Sequence, residues 1–297
     1  MVLEPGKRAC PPLATPAAKP IGLRCAAHPG YAGVGVPGDL HHFRGRQPSL
    51  LKQLKLAQFR SQWQAAEQQA TADGWSPASY LYVLAEQEHQ QRHQARLRRL
   101  LHEAHLPVPK TLADYDWGAI PDLDRPQIEQ LAHDTGWLDR AENLLLFGPS
   151  GVGKTHLAAG ICRSLIALDR SARFFSGTTL VQELQRAKAD YALAKALTKL
   201  DRYALLVIDD NRFAEAKGYG YVRKDEAETS VLFELVMHRY ERKSLLVTSN
   251  QPFSEWENVF STSAMTVAAV DRLVDHSTII QINGESYRRK RARRLAS

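Results

Sequence analysis

The chain has 297 residues, 44% hydrophobic and 24% charged, enough to bury one full core with a smaller appendage. Its three cysteines, Cys10, Cys25 and Cys162, are too few and too scattered for a disulfide framework or a zinc cluster, which points to a reducing, cytoplasmic setting. No apolar run approaches the length of a membrane span, and Pro, Gly and Lys interrupt the N-terminus too often for a signal peptide. The net charge of +7 is unevenly placed. Arg288, Arg289, Lys290, Arg291, Arg293 and Arg294 hold six positive charges with no acid among them, leaving 33 basic against 32 acidic residues elsewhere. Such clustering is an electrostatic footprint for nucleic acid, although a solvated tail without a partner would carry the same charges.

Residues 1 to about 47 are rich in Pro, Gly and Ala without periodicity and read as disordered. A small helical region, 48–110, follows. Leu56, Phe59, Trp63 and Ala66 lie at helical spacing, and Ser76-Pro77 supplies an N-cap and first-turn proline for a second helix. That helix extends through Arg92, Arg96 and Arg99, which share one face and are candidate DNA contacts; a solvated surface face is the plainer alternative. Pro107 and Pro109 end this part. Residues 111–287 then alternate: strand 143–147, helix 154–168, strand 173–176, helix 178–189, strand 204–209, helix 226–240, and strands 244–249 and 278–282. This predicts an α/β domain with a five-stranded parallel sheet covered by helices, its ligand beyond the carboxyl ends of the strands. Residues 288–297 form the basic tail.

Gly148-Pro149-Ser150-Gly151-Val152-Gly153-Lys154-Thr155 fits the phosphate-binding pattern G-x-x-x-x-G-K-[ST], after an apolar strand and before a helix opening at His156. Residues 148–156 are therefore candidate nucleotide contacts. Lys154 would reach the β- and γ-phosphates, and the Thr155 hydroxyl would hold Mg²⁺. Ala204 to Asp210 is an apolar strand ending in two carboxylates, with Asp209 the candidate Mg²⁺ residue and Asp210 the candidate for activating water. Asn250 ends the next strand at the same edge, placed to hydrogen-bond the γ-phosphate or the attacking water. Arg272, in a helical stretch before the last strand, is the candidate to neutralise charge on a neighbouring subunit's γ-phosphate, with Arg239 and Arg242 competing.

Taken together, these residues resemble the AAA+ P-loop ATPase module and, within it, the IstB-like ATP-binding proteins of bacterial insertion sequences, relatives of the DnaC helicase loaders. The resemblance covers about 50 to 290 and is carried by residues 144–158, Leu206 to Asp210, Arg239 to Ser244, Val247 to Trp256, Asp271-Arg272-Leu273 and Gly284 to Arg288. It implies ATP and Mg²⁺ as cofactors, assembly as a homo-oligomer on duplex DNA, and recruitment or stimulation of the element's transposase, with hydrolysis controlling disassembly. Two departures stand out. Asp210 occupies the position where the AAA+ pattern has Glu, one methylene longer, which implies slow, DNA- or partner-dependent hydrolysis. Residues 211–221 replace the family's usual Gly-Tyr and short Pro-containing stretch. A DnaC-type loader acting on single strands, or a DNA scaffold that binds ATP without turnover, are the alternatives.

Overall fold

In Asn143–Phe147 (β1), Leu144 to Phe147 is an unbroken apolar run because both faces of this strand are covered. In the computed structural model, which describes residues 41–107, 110–209, 226–251 and 263–287, it joins Ala172–Ser176 (β2), Leu205–Asp209 (β3), Ser244–Ser249 (β4) and Ser277–Gln281 (β5). The five strands form one parallel sheet in the order β2-β3-β4-β1-β5. The fold is the α/β class with a five-stranded parallel sheet that the alternation predicts. Neighbouring residues along each strand serve opposite layers. Leu144, Leu146, Leu205, Val207 and Leu246 face one apolar cluster, while Leu145, Phe147, Leu206, Ile208 and Val247 face the other. Each such side chain contributes about 1.5–3 kcal/mol when fully buried.

The helices are, in chain order, His41–Gln53 (α1), Ala57–Ala72 (α2), Pro77–Ala104 (α3), Arg125–His133 (α4), Gly136–Asp139 (α5), Lys154–Ala167 (α6), Gly177–Ala189 (α7), Leu193–Leu200 (α8), Glu226–Arg239 (α9) and Ser263–Val274 (α10). The first cluster is covered by α6, α4 and the end of α3; the second by α7, α8, α9 and α10. The chain divides into two compact units, Met1–Arg60 and Ser61–Ser297. In the first, α1 begins at His41, inside the stretch read from sequence as lacking structure; residues 1–40 lie outside the described residues. In the second, α3 starts as expected, with Ser76 capping the Ser79 amide at 3.1 Å and Pro77 in the first turn. Its last turns pack on α6 and β2, placing Leu100 and Ala104 in the same core as the sheet. Among the described residues no helix is long and apolar enough to cross a membrane. Cys162 is buried within α6, and burial pushes its thiol up to about 12.

The amino edge of the sheet is fixed by two polar side chains. Asn143 accepts from the Leu245 amide at 2.9 Å and donates to the Leu273 carbonyl at 3.2 Å, tying β1 to β4 and to the end of α10. Arg239, fully buried, donates to the carbonyls of Leu200, Tyr203 and Ser244 at 3.2, 3.2 and 3.0 Å. Burial pulls its pKa down to about 10, Asp201 opposing this and Arg242 adding to it, so it stays cationic at neutral pH. This commitment removes Arg239 from any role on a phosphate. Arg239→Ala would leave the carbonyls of Leu200, Tyr203 and Ser244 without this donor, remove the cation 3.6 Å from Asp201, and is expected to cost about 3–5 kcal/mol. Urea unfolding checks this as a lower midpoint at unchanged slope; a loss below about 1 kcal/mol would show that water substitutes for the guanidinium.

Candidate nucleotide-binding site

Between β1 and α6 the chain makes the tight turn that the glycine pattern predicts. Gly148 sits at φ 150°, and a Cβ there would lie 2.2 Å from the Ile282 carbonyl oxygen, so only glycine fits against the strand leaving β5. Gly153, at φ 95°, caps α6, and a Cβ on it would meet the Tyr115 ring at 2.8 Å. The first-turn amides of α6 have no intrahelical acceptors, so this turn presents donors and a positive helix end to an anion. The Leu157 amide, the first to bond back within the helix, reaches the Gly153 carbonyl at 3.0 Å.

Strands β3 and β4 deliver side chains to this turn. The Lys154 ammonium donates to the Gly148 and Pro149 carbonyls at 2.6 and 2.8 Å and to Asn250 Oδ1 at 2.5 Å. The loop's lysine and the end of β4 are therefore in direct contact. Thr155 Oγ1 lies 3.0 Å from both carboxylate oxygens of Asp209, at the end of β3. Because β4 is inserted between β1 and β3, the Asp209 carboxylate also meets Thr248, its register partner on β4, whose hydroxyl donates at 2.7 Å. Asp209 is 7% exposed, and the described residues give it two hydroxyl donors but no Lys, Arg or His ion pair. A buried carboxylate with that donor set suits a hard divalent cation, for which it and the Thr155 hydroxyl are oxygen ligands. The residues fit a nucleotide with its magnesium ion.

A cavity of about 390 Å³ opens beside the loop. Its walls come from two segments that the sequence reading did not assign to the site: Lys110, Asp114, Tyr115, Asp116 and Ile120 before β1, and Glu285 and Tyr287 after β5. His156 turns its ring into the first of these and donates from Nε2 to the Thr111 carbonyl at 2.8 Å, while packing edge-on against Tyr115. Thr248 was also missed as an individual residue. The sequence shows only the polar end of this strand; the pairing of Thr248 with Asp209 is set by the sheet register.

Other candidates are not brought here. Arg272 lies near the end of α10, one residue before the Leu273 carbonyl that bonds to Asn143 at the start of β1, and its guanidinium sits 5.7 Å over the Tyr240 ring. It is therefore at the opposite edge of the sheet from the phosphate loop and does not reach that loop. Arg242 pairs with Asp201 at 3.2 Å at the same far edge. Arg92, Arg96 and Arg99 are exposed on α3; Arg92 pairs with Glu88 at 2.7 Å and Arg96 with Asp169 at 2.6 Å. Asp210, residues 211–221, and Arg288, Arg289, Lys290, Arg291, Arg293 and Arg294 lie outside the described residues.

The chain is similar in sequence to several known proteins. The insertion sequence ATP-binding protein y4iQ/y4nD/y4sD of Sinorhizobium fredii (strain NBRC 101917 / NGR234) is 46% identical over 243 residues, covering 82% of this chain and 79% of that protein. The insertion sequence IS21 ATP-binding protein of Pseudomonas aeruginosa is 33% identical over 245 residues, covering 82% and 89%. That of insertion sequence IS5376 from Geobacillus stearothermophilus is 32% identical over 240 residues, covering 81% and 92%. The family pattern described as IstB-like ATP binding protein matches residues 49–296, a span that takes in the phosphate loop, Asp209 and Asn250 alike. With Lys154, Thr155, Asp209 and Asn250 converging on one turn, the chain belongs to the IstB-like ATP-binding proteins of insertion sequences.

Proposed function

We propose that this protein is a slow AAA+ ATPase that regulates transposition, assembling as a homo-oligomer on duplex target DNA and recruiting or stimulating the element's transposase. The observation that carries this reading is the meeting of two strand ends with one loop: Asn250 after β4 against Lys154 at 2.5 Å, and Asp209 of β3 against Thr155 at 3.0 Å. Family membership supplies the ATP. Lys154 and the loop amides would bind the β- and γ-phosphates, and Thr155 with Asp209 would hold Mg²⁺, which neutralises developing charge when bound. Thr248 keeps the Asp209 carboxylate oriented. Asn250 would meet the γ-phosphate or the attacking water, and Asp210 would polarise that water. Arg272, excluded from its own site by its place at the far edge, would act across a subunit boundary. The helical region and the basic tail flank the ATPase domain and supply the Arg and Lys for backbone contacts with DNA, while the cost of bending DNA biases the choice of target.

Lys154→Ala is expected to abolish ATP binding and, with it, ATP-dependent assembly on duplex DNA. Nucleotide titration together with sedimentation of the DNA complex measures both; normal assembly by this variant would remove nucleotide gating from the account. Truncation after Tyr287 is expected to weaken DNA binding and to lower the slope of log affinity against log salt by about 0.9 for each DNA phosphate that the tail neutralises. Superimposable binding curves across salt concentrations would take the tail out of the mechanism.

A further inference from the structure

Main-chain amides can point at a phosphate only if the carbonyls of the same peptide units point away, because each planar peptide carries its N–H and C=O in opposite directions. The loop's carbonyls are held by an unusual mixture of donors. Those of Gly148 and Pro149 accept from the Lys154 ammonium, and that of Gly153 from the Leu157 amide. The two at the tip are held from outside the loop. The Gly151 carbonyl accepts from the Tyr287 amide at 3.0 Å, and the Val152 carbonyl from the Tyr115 hydroxyl at 3.2 Å.

The Val152–Gly153 peptide can rotate, since Gly153 at φ 95° has no Cβ to resist it. Its latch is a side chain rather than a stretch of regular structure. Tyr115 is itself fixed: it is 7% exposed, and its ring lies edge-on to both Trp117 at 4.9 Å and His156 at 5.3 Å. Burial, with a smaller effect from Asp116, pushes its phenol up to about 12, so the hydroxyl remains protonated and able to donate.

From this geometry, and resting on the ATP-binding reading above, we propose that Tyr115 is a positioning residue: its hydroxyl fixes the Val152–Gly153 peptide so that the Gly153 amide faces the β-phosphate. The residue touches no reacting atom and acts through the loop. Tyr115 also lines the adjoining cavity, so a role in shaping that cavity for base or ribose is the competing explanation.

The test is Tyr115→Phe in the full chain, which keeps the ring on Gly153 and deletes only the donor. Affinities for ATP, ADP and AMP are measured with magnesium for wild type and variant, alongside circular dichroism and thermal melting. ATP and ADP are expected to bind roughly three- to tenfold more weakly, the range set by removal of one hydrogen bond. AMP, which lacks the β-phosphate, is expected to change by less than about twofold. A purely structural or cavity-shaping role would leave the ratio of ATP to AMP affinity at its wild-type value, and that result overturns the proposal, as does loss of the fold. Wild-type protein that binds no ATP would instead defeat the proposed function; wild type that binds, with an unchanged ratio in the variant, defeats this inference alone.

Discussion

A phosphate held by backbone amides demands that the carbonyls of the same peptide units be turned away from it. The rest of this structure is arranged around that demand. Gly148 lets β1 leave the sheet against the Ile282 carbonyl, closer than any side chain would permit. Strand β5 and its continuation return to place the Tyr287 amide on Gly151. The segment before β1 brings Tyr115 to Val152, and Leu112 packs where Gly160 leaves room in α6. Segments from opposite ends of the domain thus close on one turn, which explains why the domain begins well before its first strand.

The strand order supplies the second part of the site. With β4 between β1 and β3, the acid and the phosphate loop are a full strand apart, and the intervening strand contributes at both positions: Thr248 toward Asp209 and Asn250 toward Lys154. A parallel sheet puts all these groups at its carboxyl edge. Its amino edge carries the fixed polar contacts of Asn143 and Arg239, whose cost of burial is offset by hydrogen bonds to main chain. Stability and chemistry are segregated to opposite ends of the same strands.

Much of this was legible in the sequence, for identifiable reasons. Strands covered on both faces must be continuously apolar, so Leu144 to Phe147 and Leu205 to Ile208 announce themselves, and the glycine spacing marks the turn between strand and helix. Lys154 and Thr155 follow from the loop pattern at the start of α6, and Asp209 and Asn250 from their positions at strand ends. The cavity walls were not legible, because Tyr115, Ile120, Glu285 and Tyr287 come from irregular segments whose contacts depend on tertiary closure rather than periodicity. Helices α4 and α8 were missed although Asp124 caps the first and Leu193, Leu197 and Leu200 give the second a helical stripe; both are short and lie between stronger signals. For Arg272, helical context was readable but the end of the sheet it occupies was not, since that depends on the direction of α10.

The central claim is that one nucleoside triphosphate sits at the amino end of α6 with its metal ion shared between Thr155 and Asp209. Calorimetric titration of the purified full chain with ATP, with and without magnesium, tests it most directly. One site per chain, with affinity raised by magnesium, is the result expected; no measurable heat or saturation in the presence of magnesium would contradict the account.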